Sequence, residues 1–427
     1  MLYFIGVMMS YKELQKIYYE SIDNYLNEYT ARLDSPDTIK LPFKVSHSSV
    51  FFVQNAEIAD LVFKILKADK NISLLCSKLP GVAIDQFKKR CLIDEIILTN
   101  KIEGVYSTRR EIATILSELE SKVKEKRIKR RFRGLVEQYL KLLSNEEILI
   151  TTCKDIRELY DELVLAEVVE EEPGNAPDGE LFRKDSTSVY SATDKEIHRG
   201  IYPESEIYRK LEEALIFLND GDIYFLYRIA VFHFLFGHIH PFYDGNGRLG
   251  RFIVSATLAR ELNPLLAYRI SYTIAENIND YYKAFEICNN PRNLGDLTPF
   301  LLMMLNMIKT STIQLEEALN KRHTQFIHYT DCINKLPGGT NSRTYKLYQL
   351  LIQGGLFSEN GISTKVLEFY MENSYTTVKK ELDIIEKNQL LVKTRVGRDN
   401  LYMLNLDRMD TFIIDIDKSI QTTIAGF

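Results

Sequence analysis

The sequence predicts a mainly α-helical protein with one small β-hairpin inside its core and a second helical unit, closed by another hairpin, at the C-terminus. Three observations predict it. Apolar residues recur at helical spacing along most of the chain, as Leu92, Ile93, Ile96 and Ile97 do in "CLIDEIILTN". One segment, "EEEPGNAPDGELFRKDSTSVYSATDKEIHRGIYPESE", breaks that pattern with Gly, Pro, Asp and Ser around the β-prone pieces "STSVYS" and "IHRGIY". Past residue 340, "RTYKLYQLLIQGG", "STKVLEFYMENS" and "YTTVKKELDIIEKNQ" read as three helices, and "LLVKTRVGRDNLYML" reads as two strands around a Gly-Arg-Asp turn.

At 427 residues the chain has room for two or three domains and a sizeable core. Its 45% hydrophobic and 26% charged residues are ordinary for a soluble globular protein, and a net charge of -5 gives no global pull toward nucleic acid or membrane. Cys76, Cys91, Cys153, Cys288 and Cys332 are scattered and lack metal-ligand spacing, which argues against a disulfide framework or a zinc site and fits a reducing cytoplasm. The apolar start "MLYFIGVMM" is too short for a bilayer span and lacks a basic flank, so a strand or short buried segment is expected, with no membrane partner.

From the N-terminus, residues 10–130 alternate helical patterns with "DSPDTIKLPF" and "SKLPGVAI", which read as loops from their Pro and Gly. The run "KVKEKRIKRRFR", 122–133, holds eight basic residues in twelve but is accompanied by no interleaved aromatic platform, so it is read as a solvated helix face or connector without a role. Helical patterning resumes from "FRGLVEQYLKLL" to "TTCKDIRELYDELV". After the hairpin segment, "DIYFLYRIAVFHFLFGHI" is apolar nearly all round, the mark of a central buried helix in which His233 and His238 are packed. His198 is read as a loop surface residue, and "HTQFIHYTDCINKLPGGTNS" as the loop that ends the domain. The C-terminal pattern is that of a winged helix-turn-helix with its recognition helix near 374–388. Lys379, Lys380, Lys387, Lys393, Arg395 and Arg398 suit phosphates, yet Glu381, Asp383 and Glu386 share the helix, so DNA, a protein partner and a homodimer all stand as readings.

The chemistry concentrates in "HPFYDGNGRLGR", 240–251. Gly245, Asn246 and Gly247 suit a tight turn at 244–247, because Gly and Asn reach positive φ most easily. The apolar spacing of Phe252, Ile253, Ala256, Leu258 and Ala259 starts a helix near Gly247 or Arg248. Unpaired amides and the positive end of a helix dipole favour an anion there, and Arg248 and Arg251 add planar, charged donors. Asp244 supplies a hard oxygen suited to Mg²⁺ beside phosphates, and His240 has the intrinsic pKa of a general base. Singly, each residue fits a plain Gly-Asn turn between helices; jointly they match H-P-F-x-D-G-N-G-R-x-x-R at nine positions.

That run resembles the Fic, or Fido, family of nucleotidyl transferases. The resemblance implies a Fic helical core with a β-hairpin flap, and it implies His240 as the base that activates a Ser, Thr or Tyr hydroxyl of a target protein. The hydroxyl attacks the α-phosphate of ATP, so that AMP is transferred and pyrophosphate leaves. It further implies Asp244 as the Mg²⁺ ligand, Gly245, Asn246 and Gly247 as the anion hole, and Arg248 and Arg251 as the clamps on the β- and γ-phosphates. Phe242 is read as a structural anchor of the loop. Tyr281 and Tyr282, in "YTIAENINDYYKAFEICNN", resemble residues that pack the adenine and ribose; core packing is the rival reading. The flap, which pins the target side chain, is carried to roughly 187–202.

A second stretch, "TNKIEGVYSTRREI", ends a predicted helix at Gly104, and its T-x-x-x-E-G from Thr99 resembles the inhibitory motif of the family. The resemblance implies that Glu103 occupies Arg251 and displaces the γ-phosphate. Three domains are thus expected: an N-terminal helical region over 1–130 carrying the inhibitory helix at about 90–104, a Fic core over 131–322, and a winged helix over 340–412. The expected activity is an autoinhibited protein adenylyltransferase using ATP and Mg²⁺, with the chain itself among its conceivable targets and deAMPylation as a conceivable reverse reaction. The alternatives are a nucleotide-sensing DNA-binding regulator and a transferase of another nucleotide such as UMP.

Overall fold

The structure is a computed structural model and describes residues 11–45, 47–120, 131–144, 146, 148–190, 196–396 and 399–425. The apolar start, 122–130 of the basic run, 191–195 of the expected flap, and Gly397 and Arg398 lie outside the described residues. The chain is mostly helical with few strands, as the periodicity predicts. Among the described residues no helix is long and apolar enough to cross a membrane, and the five cysteines are free.

Two compact units are formed. The first takes its residues from Met1–Asp69, Glu95–Ser107 and Lys129–Ile313. At its centre runs the helix Phe225–Ile239, buried on almost every side, with Glu204–Leu218 and Asn246–Glu261 packed against it. Its nearly unbroken apolar surface follows from this position, since a helix with neighbours all round has little face to spare for polar side chains. Asn246–Glu261 is also buried along most of its length, and its small Gly250, Ser255 and Ala256 let it lie close to its neighbours.

Sequence reading failed in three places. "DSPDTIKLPF" is not a loop: Thr38–Val45 pairs antiparallel with Ser48–Val53, and the register shifts between Lys40 and Lys44. Pro42 sits in that irregular stretch of a two-stranded sheet, where its missing N–H is tolerated, while Leu41, Phe43 and Val45 alternate into the core. "SKLPGVAI" shrinks to a short break, because the helix Gly81–Ile102 starts directly after Pro80. The third concerns "HTQFIHYTDC", which continues the helix Thr298–Cys332; a 3-10 turn, Ile333–Lys335, closes it before the Pro-Gly-Gly. "YTIAENINDYYKAFEICNN" divides at Asn277 into Ile270–Glu276 and Ile278–Asn289.

The small hairpin of the first unit joins Ser188–Tyr190 to Glu196–Arg199, with Val189 opposite His198. In the second unit the helices Ser342–Phe357, Thr364–Met371 and Tyr375–Lys387 accompany an antiparallel sheet ordered Ile362–Ser363, Asp399–Leu404, Leu391–Val396. Asn341 and Ser363 cap the first two of these helices with side-chain oxygens. A closing helix, Leu406–Ala425, was not anticipated.

Candidate functional site

The helix Phe225–Ile239 ends on His240, whose φ of 53° places it in the left-handed region, and Pro241 prevents continuation. A non-glycine residue there costs roughly 1–2 kcal/mol, and the buried arginine Arg183 holds the turn against that cost. Its Nε donates to the His240 carbonyl at 2.8 Å, and its Nη2 to the carbonyls of Ile201 at 2.7 Å and Ile239 at 3.3 Å. Burial, then the neighbouring Arg183 and His198, hold the His240 imidazole well below its ordinary pKa, against an opposing contribution from the Gly237 backbone. The histidine is therefore neutral near pH 7 and can accept a proton.

After His240 the chain is clamped. Phe242 is fully buried and stacks on Tyr160, with ring centroids 3.7 Å apart and planes 7° from parallel, while Phe182 meets it edge-on. Asn246 accepts from the Phe242 amide at 3.0 Å and donates to the Phe242 carbonyl at 2.7 Å. Its side chain is thereby committed to closing the loop. Phe242→Ala is expected to lower stability by about 3–5 kcal/mol, measured as a drop in the chemical denaturation midpoint of the first unit.

Gly245 follows at φ 79° and caps the helix Asn246–Glu261, which starts a residue or two earlier than the spacing suggests. A Cβ at Gly245 would meet Val164 Cγ2 at 2.9 Å, so space as well as φ requires glycine. Asp244 is partly exposed beside this turn and its Oδ1 accepts from the Gly245 amide. The first turn of the helix thus presents unpaired amides next to a carboxylate and two arginines, Arg248 and Arg251, each 1% exposed. Such a place can bind an anion, and a nearby neutral imidazole can take a proton.

Glu103 reaches this place from the chain just beyond Gly81–Ile102. Its Oε1 accepts from Arg251 Nη2 at 2.8 Å, while Thr99 takes Arg251 Nε on its hydroxyl and Nη2 on its carbonyl, both at 2.9 Å. Gly104 at φ 74° ends the helix, and the Val105 amide returns to the Asn100 carbonyl at 2.9 Å, a close that satisfies the last turn. The carboxylate also lies directly on Gly247, where an added Cβ would fall 2.1 Å from Oε1. Burial opposes charge on Arg251, but Glu103 holds it firmly protonated.

Tyr281 takes the packing alternative: it is buried, its hydroxyl 2.7 Å from His233 Nε2 and beside Arg251. Tyr282 is 38% exposed, next to Glu103 and Arg251. Burial depresses His233 and His238 to about 3, in keeping with packed, neutral histidines. His198 corrects the reading given above. It is not a free surface residue; its Nε2 lies 2.5 Å from the His238 carbonyl and its ring stacks on that of His238 at 4.5 Å, fastening the hairpin to the end of the central helix.

Sequence reasoning missed Arg183, Glu95 and Glu167. Glu95, one turn before Thr99, is fully buried and accepts from the Ser271 amide at 3.0 Å; burial raises its carboxyl to about 7. Glu167 pairs with Arg248 at 2.9 Å. No local pattern marks any of the three, since their partners lie far off in the chain.

A helical core brings an amide-lined turn, a neutral histidine and two buried arginines to one place. Residues 150–258 match the Fic/DOC family, so the chain carries a Fic domain over that segment. The chain is 28% identical over 155 residues to protein adenylyltransferase fic-1 of Caenorhabditis elegans; the match covers 35% of this chain and 28% of that protein, so it spans less than a third of the relative's length. A crystal structure of a Fic family protein from Desulfovibrio desulfuricans G20 is similar in fold, with a TM-score of 0.51 at 17% identity, covering 86% of this chain and 98% of that one.

Proposed function

We propose that the protein transfers AMP from ATP to a hydroxyl side chain of a target protein and is held inactive by Glu103. The observation that carries this reading is the Glu103–Arg251 contact at 2.8 Å over Gly247, which sets a carboxylate where the anion site is built. The likeness to an adenylyltransferase over the matched segment supports it.

In this reading the turn Gly245, Asn246 and Gly247 holds the α-phosphate oxygens through the amides not taken by Asp244, Arg248 holds the β-phosphate, and Arg251 the γ-phosphate once Glu103 withdraws. The neutral His240 accepts the proton of the attacking hydroxyl as its oxygen bonds to the α-phosphorus, and pyrophosphate departs. Among the described residues no three His, Cys, Asp or Glu gather as a metal site. A single partly exposed carboxylate, Asp244, fits Mg²⁺, which takes one or two carboxylates and completes its shell with phosphate oxygens and water. When bound it would neutralise charge on the phosphates. Tyr282, the exposed member of the tyrosine pair, would face the nucleoside, and the hairpin 187–202 would align the target backbone by strand-like pairing.

We read the C-terminal helices and sheet as a winged helix. Its exposed Lys379, Lys380, Lys387, Lys393 and Arg395 support a second reading, a DNA-binding regulator that senses nucleotide. The discriminating experiment is incubation of the full-length Glu103→Gly chain with lysate, Mg²⁺ and either ATP or UTP, followed by mass spectrometry. A gain of one AMP on a Ser, Thr or Tyr with ATP alone is expected. Gain of UMP would change the donor, and no covalent gain beside a salt-sensitive DNA shift would favour the regulator.

A further inference from the structure

The helix that contributes Tyr160 to the loop clamp is irregular. A capping box of Thr152 and Asp155 starts Cys153–Tyr160, a π-helical turn follows over Asp161–Leu165, and α-helical winding resumes at Ala166–Glu171. Inserted π turns change which side chains face a neighbouring element, and they gather at functional sites. Here Tyr160 stacks on Phe242, while Val164 and Val168 lie where a side chain on Gly245 would stand. Glu167 is carried to Arg248.

Glu167 is 5% exposed, and both of its oxygens are engaged: Oε1 accepts from the Phe132 amide at 2.9 Å, and Oε2 from Arg248 Nη1 at 2.9 Å. The other edge of the same guanidinium is different. Arg248 Nε and Nη2 are buried and have no hydrogen-bond partner among the described residues. Those two N–H groups lie side by side on one edge of the planar fork, the pair that grips a carboxylate or phosphate with two parallel bonds. Two buried, unmatched donors are costly unless an anion meets them. Arg248 stands in the first turn of its helix, where side chains lean toward the N-terminus.

We infer that Glu167 is a positioning residue for the diphosphate part of the nucleotide: it fixes Arg248 by Nη1 and so keeps the Nε–Nη2 edge unshared, a ready-made two-pronged phosphate clamp. The inference rests on the nucleotide reading above and adds to it a residue outside the H-P-F-x-D-G-N-G-R-x-x-R run. Arg131 and Glu171 also face Glu167, and the Arg248 charge opposes the effect of burial, which raises the Glu167 carboxyl to about 7. The contact is therefore sustained by the arginine it positions.

The test uses calorimetric binding of ADP and of AMP, with Mg²⁺, to the full chain and to Glu167→Gln. ADP has the phosphate that Arg248 would hold and lacks the one for which Glu103 competes. Glutamine cannot accept from both Phe132 and Arg248 in the same geometry, so the variant is expected to bind ADP about tenfold more weakly and AMP within about twofold of the wild type. Glu167→Asp, one methylene shorter, is expected to lose less. A parallel fall of both affinities together with the melting temperature in Glu167→Gln, or ADP affinity unchanged, overturns the positioning role. Should Glu167→Gln fail to fold, Glu167→Asp decides by the same comparison, and an unaltered ADP-to-AMP ratio overturns the role. A wild-type chain that binds neither nucleotide overturns the nucleotide reading as well, and this outcome is distinct from a wild type that prefers ADP beside a variant that still does.

Discussion

Glu103→Gly is expected to raise AMP transfer about a hundredfold over the wild-type chain, read as label incorporated from α-³²P ATP. Loss of the carboxylate returns Arg251 Nη2 to a phosphate and clears the space above Gly247, while Thr99 continues to hold Nε. The size of the effect follows from alignment: a reacting group displaced by about 1 Å forfeits about a hundredfold in rate. A variant no faster than wild type would show that the contact is structural. Because Arg251 is buried, the same substitution should lower stability by about 1–3 kcal/mol, since it strands a charged donor. Faster turnover from a less stable protein is the signature of a removed lock.

His240→Ala, made in the Glu103→Gly protein, is expected to remove at least about 10²–10⁴-fold of that activity. Binding of ADP should survive, because the amide turn and Arg248 are untouched. Loss of binding together with transfer would instead assign His240 to the loop's shape, a real competitor given its φ of 53° and the Arg183 contact. Burial depresses the imidazole pKa, so its basic form is present at neutral pH and persists as pH falls toward the depressed value. Transfer by the Glu103→Gly protein should therefore hold between about pH 8 and 6 rather than fall with the ordinary histidine titration near 6.5. A drop centred near pH 6.5 would mean that the bound state restores the ordinary value.

The legible parts of the molecule are those in which neighbouring residues constrain each other. The turn at Gly245 follows from residue type and the helix after it from spacing, while the anchoring of Phe242 came with the family resemblance. The central helix announced itself by having no polar face. The hairpin Thr38–Val45 with Ser48–Val53 was hidden because Pro42 speaks more loudly than the alternation of Leu41, Phe43 and Val45. Arg183 and Glu167 were invisible for another reason: a lone charged residue in a polar stretch reads as solvated, and only the fold supplies the carbonyls or the guanidinium that bury it. Glu103 and Arg251 stand between these cases. Their pairing spans 148 positions, and no local rule predicts it; the family resemblance did.

The closeness of Gly247 to the Glu103 carboxylate makes the restraint one-sided. Any side chain at 247 would evict the glutamate, but it would stand in the same hollow itself and keep a nucleotide out. Gain-of-function variants should therefore arise on the stretch that delivers position 103, while changes at 247 yield dead enzyme. A genetic screen for hyperactive alleles ought to show that asymmetry.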